Sequence, residues 1–294
     1  MELQPRLCPL CGSSEVRREV TRAHIAAERL GSYSFASRKE PERMHWRFVE
    51  CASCSLVYAA ETPPPEWFLA NYREAVYDSG DEARRAAATY ASLLARFVER
   101  LPGRDGAIDI GAGDGAFIER LLEAGFTNVR GFEPSDAPRS AAPTHVAPLI
   151  AAQPFAVDAV DPGSCSLVSL LHTIEHVPDA AALCADVARA LRPGGAFFVV
   201  CHDVRAFSAR LFCARSPIFD VEHFQLFSRE TLARQFAEAG LEEIVVGSFR
   251  NTYPLRYWLR LAPLPASLKR LPPGLGSVPL TLPAGNLWAV GFRP

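Results

Sequence analysis

The chain has 294 residues, 49% of them hydrophobic and 22% charged, with a net charge of −2. This is the composition of a globular protein of one large domain or two ordinary ones, and the absence of a basic excess argues against a nucleic-acid partner. No run of about 18 uncharged apolar residues and no apolar N-terminal leader occurs, so neither a spanning helix nor secretion is expected; the predicted location is the cytoplasm, where eight cysteines stay reduced or bind metal.

Cys8-Pro9-Leu10-Cys11 and Cys51-Ala52-Ser53-Cys54 form two C-x-x-C pairs. Each pair can fold into a knuckle that points two thiolates at one ion. Two knuckles complete a tetrahedral shell with no open position, which suits structural zinc. A redox C-x-x-C would open a helix within a βαβ pattern, and neither pair does. Cys165, Cys184, Cys201 and Cys213 are scattered in apolar context and read as core thiols. Between Arg17 and Arg47 arginines alternate with glutamates, the pattern of a solvated face or loop, or of a basic contact surface. Thr62-Pro63-Pro64-Pro65 is a stiff break. It divides a zinc-ribbon-like module, residues 1–62, from a second domain, residues 67–294.

Aromatics at Trp67, Phe68, Tyr72 and Tyr77 lead into that domain. An amphipathic helix is expected from Glu82 to Leu101, ended by Pro102-Gly103. Ala107-Ile108-Asp109-Ile110 then reads as a strand that breaks into Gly111-Ala112-Gly113-Asp114-Gly115 and opens a helix. Glycines let a ligand approach bare backbone, and the helix start offers unpaired N–H groups. Val129 to Glu133 reads as the next strand, and its terminal acid can accept both hydroxyls of a ribose. Gly111, Gly113 and Ala116 also fit the dinucleotide pattern G-x-G-x-x-[G/A], so this stretch alone leaves a nicotinamide cofactor open.

Asp109 inside the strand and the G-x-G-x-G run resemble the class I S-adenosylmethionine-dependent methyltransferases. The likeness continues downstream. Ser166 to Leu171 is a continuous apolar run, as a buried parallel strand should be, and it ends in His172-Thr173-Ile174-Glu175-His176-Val177-Pro178-Asp179, similar to the family's E-H-[VI]-x-D signature. Arg192-Pro193-Gly194-Gly195 forms a turn before the strand Ala196 to Val200. Glu243 to Ser248 and Gly285 to Phe292 supply a sixth strand and an antiparallel seventh. The third strand is placed at His145-Val146-Ala147. The fold implied is α/β, a Rossmann-like seven-stranded methyltransferase sheet with an N-terminal zinc-ribbon-like module.

The resemblance implies S-adenosyl-L-methionine as methyl donor. Asp109, Gly111, Ala112 and Gly113 would hold its amino-acid end and Glu133 its ribose, with Pro134, His172 and Tyr72 also against it. In the segment Phe219 to Phe227, Glu222 and His223 are candidates for acceptor chemistry. His223, with Glu222, His172 or Tyr77, would deprotonate or orient the acceptor. Glu175 and His176 read equally as loop anchors. A four-cysteine module before a methyltransferase domain is similar to bacterial enzymes of polysaccharide, nucleotide-sugar or natural-product pathways. Among these are sugar C-methyltransferases with a Glu-His pair after strand five. The expected acceptor is therefore such a small molecule, methylated at carbon or oxygen. An RNA methyltransferase that grips RNA through the zinc module, a non-catalytic donor-binding scaffold and a nicotinamide enzyme are the alternatives. Residues 253–271 are amphipathic and cationic, which suits a membrane surface, a lid over the acceptor or packing across the sheet.

Overall fold

The computed structural model describes all residues except 1, 32, 36–41, 78–79, 266–268, 270, 273 and 284. Its centre is a seven-stranded sheet, whose strands are numbered here in chain order: β1 Asp105–Ile110, β2 Thr127–Phe132, β3 Ile150–Ala151, β4 Cys165–Leu171, β5 Leu191–His202, β6 Glu242–Ser248 and β7 Asn286–Phe292. The spatial order is β6-β7-β5-β4-β1-β2-β3. β1 to β5 pair in parallel, with Ala107 opposite Val129 on one side and Leu167 on the other. β7 runs antiparallel between β5 and β6.

Burial on both faces explains the apolar runs that mark the central strands. One face packs the helices Gly80–Leu94 and Ala116–Glu123 through Tyr90, Leu93, Leu94, Phe117, Ile118 and Leu121. The other packs Ala180–Ala190 and Arg229–Glu238 through Cys184, Val187, Leu232 and Phe236. Asp179 caps the first of this pair by accepting from the Ala182 N–H at 2.9 Å, and Ser228 with Thr231 forms a reciprocal capping box on the second.

Three local expectations change. The helix expected to reach Leu101 stops at Leu94, followed by turns and a short 3₁₀ segment, Val98–Arg100. The third strand is Ile150–Ala151 rather than residues 145–147. Val146 instead packs under the glycine loop, its Cγ1 2.3 Å from where a Cβ on Gly115 would stand. Arg192-Pro193-Gly194-Gly195 is not a turn before β5 but a bulge within it, where pairing with β4 jumps from Leu191 to Ala196.

The N-terminal region builds a four-stranded sheet from Val16–Thr21, Phe48–Cys51, Val57–Ala59 and a strand from far downstream, Gln225–Leu226. Gln225 pairs with Tyr58 and Leu226 with Val57. Pro65 opens the helix Pro65–Arg73, where its missing N–H costs nothing. Trp46, buried, donates its ring N–H to the Val221 carbonyl at 2.6 Å. Arg6 donates to the carbonyls of Phe224 and Pro178 at 2.9 and 2.8 Å. Near the C-terminus, Asn251–Pro254 pairs with Pro279–Leu282, and the helix Leu255–Leu261 stands between them in sequence. Four positions of the amphipathic 253–271 stretch, residues 266–268 and 270, lie outside the described residues.

Candidate active site

The carboxyl ends of β1, β2, β4 and β5 open into one cavity of about 840 Å³, within the usual range for a small-molecule site. All the residues singled out from the sequence for donor and acceptor line it: Tyr72, Tyr77, Asp109, Gly111, Ala112, Gly113, Glu133, Pro134, His172, Glu222 and His223.

One end is the glycine loop. Gly111 has φ +75°, and a Cβ there would stand 2.3 Å from Thr173 Oγ1, so the position excludes any side chain. Gly111 and Ala112 donate their N–H groups to the Phe132 carbonyl at 2.8 and 3.1 Å, tying the loop to β2. At Gly113 a Cβ would meet nothing within 4 Å. Its backbone faces the cavity, the cradle a bound nucleoside needs. Glu133, at the end of β2, accepts the Gly113 N–H on Oε2 at 3.0 Å and the Ser135 N–H on Oε1 at 2.8 Å. Burial pushes its carboxyl up, and these donors oppose the shift. Asp109 is buried behind the loop, accepts from Ser169 Oγ at 2.7 Å, and is pushed up to about 7 by burial.

The same cavity holds four imidazoles. His172 and His202 have ring centroids 4.6 Å apart, His202 and His223 5.3 Å, and His223 and His176 4.8 Å. Burial lowers His223 and, further, His176, so both are neutral at neutral pH. His223 Nδ1 lies 2.7 Å from the Ile218 carbonyl and so carries the proton, which leaves Nε2 as an acceptor. Tyr72 Oη and His176 Nδ1 are hydrogen-bonded at 2.9 Å, and Glu222 Oε1 lies 3.9 Å from the same nitrogen. Burial and the nearby Asp114 hold the Tyr77 hydroxyl protonated, so it serves as a donor rather than a base. Tyr253, Tyr257 and Trp258 close the wall, so part of the 253–271 stretch faces the cavity.

His202 and Asn286 were not singled out from the sequence. His202 ends β5 as His172 follows β4, and the two strands are neighbours, with the His172 N–H donating to the Val200 carbonyl at 2.7 Å. A histidine at the carboxyl end of a parallel strand was the available signal.

The methyltransferase-domain family matches residues 82–245, more than half of the chain. The chain belongs to the class I S-adenosylmethionine-dependent methyltransferases. This methyltransferase is similar to the ubiquinone biosynthesis O-methyltransferase of Thiobacillus denitrificans, with 29% identity over 150 residues. The match covers 46% of this chain and 63% of that relative, so it spans less than two thirds of the relative's length. Among solved structures, a putative methyltransferase from Bacillus halodurans superimposes with a TM-score of 0.51 at 14% identity, over 70% of this chain and 99% of the other. Phosphoethanolamine N-methyltransferase 2 of Haemonchus contortus, in complex with S-adenosyl-L-methionine, gives 0.50 at 16% identity, over 81% and 62%. At such identities the likeness is one of fold. Among the described residues no helix of this methyltransferase is long and apolar enough to cross a membrane.

Its second cluster lies in the N-terminal sheet. Cys8 Sγ is 3.4 Å from Cys54 Sγ, Cys11 Sγ is 3.6 Å from Cys51 Sγ, and all four sulfurs lie within 4.8 Å of one another. Tetrahedral zinc with bonds of about 2.3 Å separates its sulfurs by about 3.8 Å, so the set fits. Burial raises the Cys51 thiol, but the backbone at Cys54 and Ser53 and the Cys11 thiol bring it down to about 7. Burial raises the Cys8 and Cys54 thiols of the same cluster, so a bound cation, not the free site, would hold all four as thiolates.

Proposed function

We propose that this methyltransferase acts on a small molecule, a sugar, nucleotide-sugar or natural-product intermediate, at carbon or oxygen, and that a structural Zn²⁺ organises its N-terminal sheet. The observation that carries the reading is one cavity joining the Gly111–Gly113 cradle and Glu133 to neutral, buried imidazoles. The 29% likeness to an O-methyltransferase of ubiquinone biosynthesis favours a small acceptor.

When bound, S-adenosylmethionine supplies a sulfonium methyl group for in-line displacement. The chain's contribution is placement. Gly111, Ala112 and Gly113 present backbone to the amino-acid end of the donor, with Asp109 behind them. Glu133, fixed by two backbone N–H groups, turns its remaining lone pairs to the ribose hydroxyls. Pro134 lies against the same part of the donor, and Tyr72 reaches it from beside His176, to which it is hydrogen-bonded at 2.9 Å. His223 takes the acceptor's proton on Nε2, and Glu222, His172 and the Tyr77 hydroxyl orient the acceptor.

Calorimetric titration with S-adenosylhomocysteine tests the donor half. Wild type should bind, and Glu133→Ala should bind about tenfold more weakly or worse, since a charged hydrogen bond contributes about 1.5–3 kcal/mol. Unchanged affinity removes Glu133 from the role. Incubation with pooled metabolites and mass spectrometry for the gain of one methyl group then identifies the acceptor.

A further inference from the structure

Glu175 sits between His172 and His202, behind the part of the cavity wall that these two histidines line, and it is wholly buried. Its Oε1 accepts the backbone N–H of His202 at 2.8 Å and faces the His202 Nδ1 at 2.9 Å. The His172 Nδ1 stands 3.8 Å from the same oxygen, too far for a hydrogen bond. Glu175 Oε2 and His172 Nδ1 are both buried without a hydrogen-bond partner. A carboxylate–histidine pair therefore accounts for His202 alone. It leaves a second imidazole nitrogen and a second carboxylate oxygen unsatisfied in the same place, which is costly. The backbone is also committed here: His172 is held at φ +54°, a conformation that side chains rarely adopt and that collects at ligand-holding sites.

We propose that His172, Glu175 and His202 form a second metal site, for a divalent first-row ion that accepts imidazole, such as Zn²⁺, Fe²⁺ or Mn²⁺. One ligand atom from each residue lies within 4.8 Å of the other two. A common ion at about 2.1 Å needs separations of about 3–3.5 Å, which a small rotation of the His172 ring supplies. Two imidazoles and one carboxylate match such ions rather than the oxygen-seeking Mg²⁺ or Ca²⁺. Three protein ligands leave positions open, and His172 and His202 line the cavity. The ion would there meet an acceptor offering an oxygen lone pair. That last role rests on the methyl-transfer reading, whereas the site itself does not.

The test uses full-length protein with zinc already in the four-cysteine cluster, titrated with Mn²⁺ and Co²⁺, Mn²⁺ competing poorly for thiolates. Wild type should bind one further ion per chain, and electron spin-echo spectroscopy of bound Mn²⁺ should show directly coordinated imidazole nitrogen. His202→Ala and Glu175→Gln should each weaken ion binding by tenfold or more. S-adenosylhomocysteine affinity, measured on the same samples, reports separately on the methyltransferase reading. A wild type that takes up neither ion, bound Mn²⁺ with no nitrogen coupling, or variants that bind as wild type does would overturn the site.

Discussion

Gly111 and Gly113 are two residues apart and both have positive φ, yet they answer to different constraints. An alanine at either position carries a left-handed backbone penalty of about 1–2 kcal/mol. At Gly111 the new methyl also collides with Thr173, so Gly111→Ala should destabilise the protein by about 2 kcal/mol or more in thermal or urea unfolding. At Gly113 the methyl enters the cavity, so Gly113→Ala should lose more in S-adenosylhomocysteine affinity than in stability. Equal losses in both would mean that Gly113 does not face the donor. Asp109 offers a pH test. A carboxyl raised by burial favours the fold below its unfolded value of about 3.9, and that contribution is lost as pH rises towards 7. Without ligand, wild type should lose on the order of 3–4 kcal/mol relative to Asp109→Asn between about pH 4 and about pH 8. Parallel stability curves would show that Asp109 titrates normally. Residue types and local spacing point to much of this cavity's lining: the glycines, Asp109, Glu133 and the Glu222-His223 pair, named from the chain alone, all border it. For His202 the chain offers one signal, its place at the end of β5; its pairing with Glu175, 27 positions away, appears only when the two strands lie side by side.

At the scale of elements, the strands that a buried parallel sheet demands announced themselves as apolar runs. β3 did not, since two residues hold no period. The strand Gln225–Leu226 was equally silent, for it exists only because Val57–Ala59 offers it an edge. This strand has a functional consequence. It begins two residues after His223, and Arg6, two residues before Cys8, grips the carbonyls of Phe224 and Pro178. The four-cysteine region is thereby tied to the His223 side of the cavity. Stripping metal with a chelator, or Cys51→Ser, should lower the melting temperature and depress methyl transfer, with a smaller loss of S-adenosylhomocysteine affinity. Equal losses of donor binding and turnover would show that the tie reaches the whole cavity.

For the whole molecule, the break expected at Thr62–Pro65 is spanned by shared packing. Phe35, Met44, Trp46, Phe48 and Val57 share one buried cluster with Phe68, Phe219, Val221 and Phe224. A fragment of residues 67–294 would expose the second group, and exposed patches of this kind drive association. It should aggregate or elute above monomer mass in size-exclusion chromatography, where the full chain does not. A well-behaved monomeric fragment would support two separable units. The central sheet carries a further consequence in the place of β7. β5 and β6 do not pair with each other; each pairs with β7, the last strand along the chain. During folding, β6 therefore waits without a strand neighbour, and the backbone edge of β5 stays unpaired, until residues 286–292 dock between them. Domains this size already pass through vulnerable intermediates. Slow docking of residues 286–292 should therefore leave the folding chain dependent on chaperones.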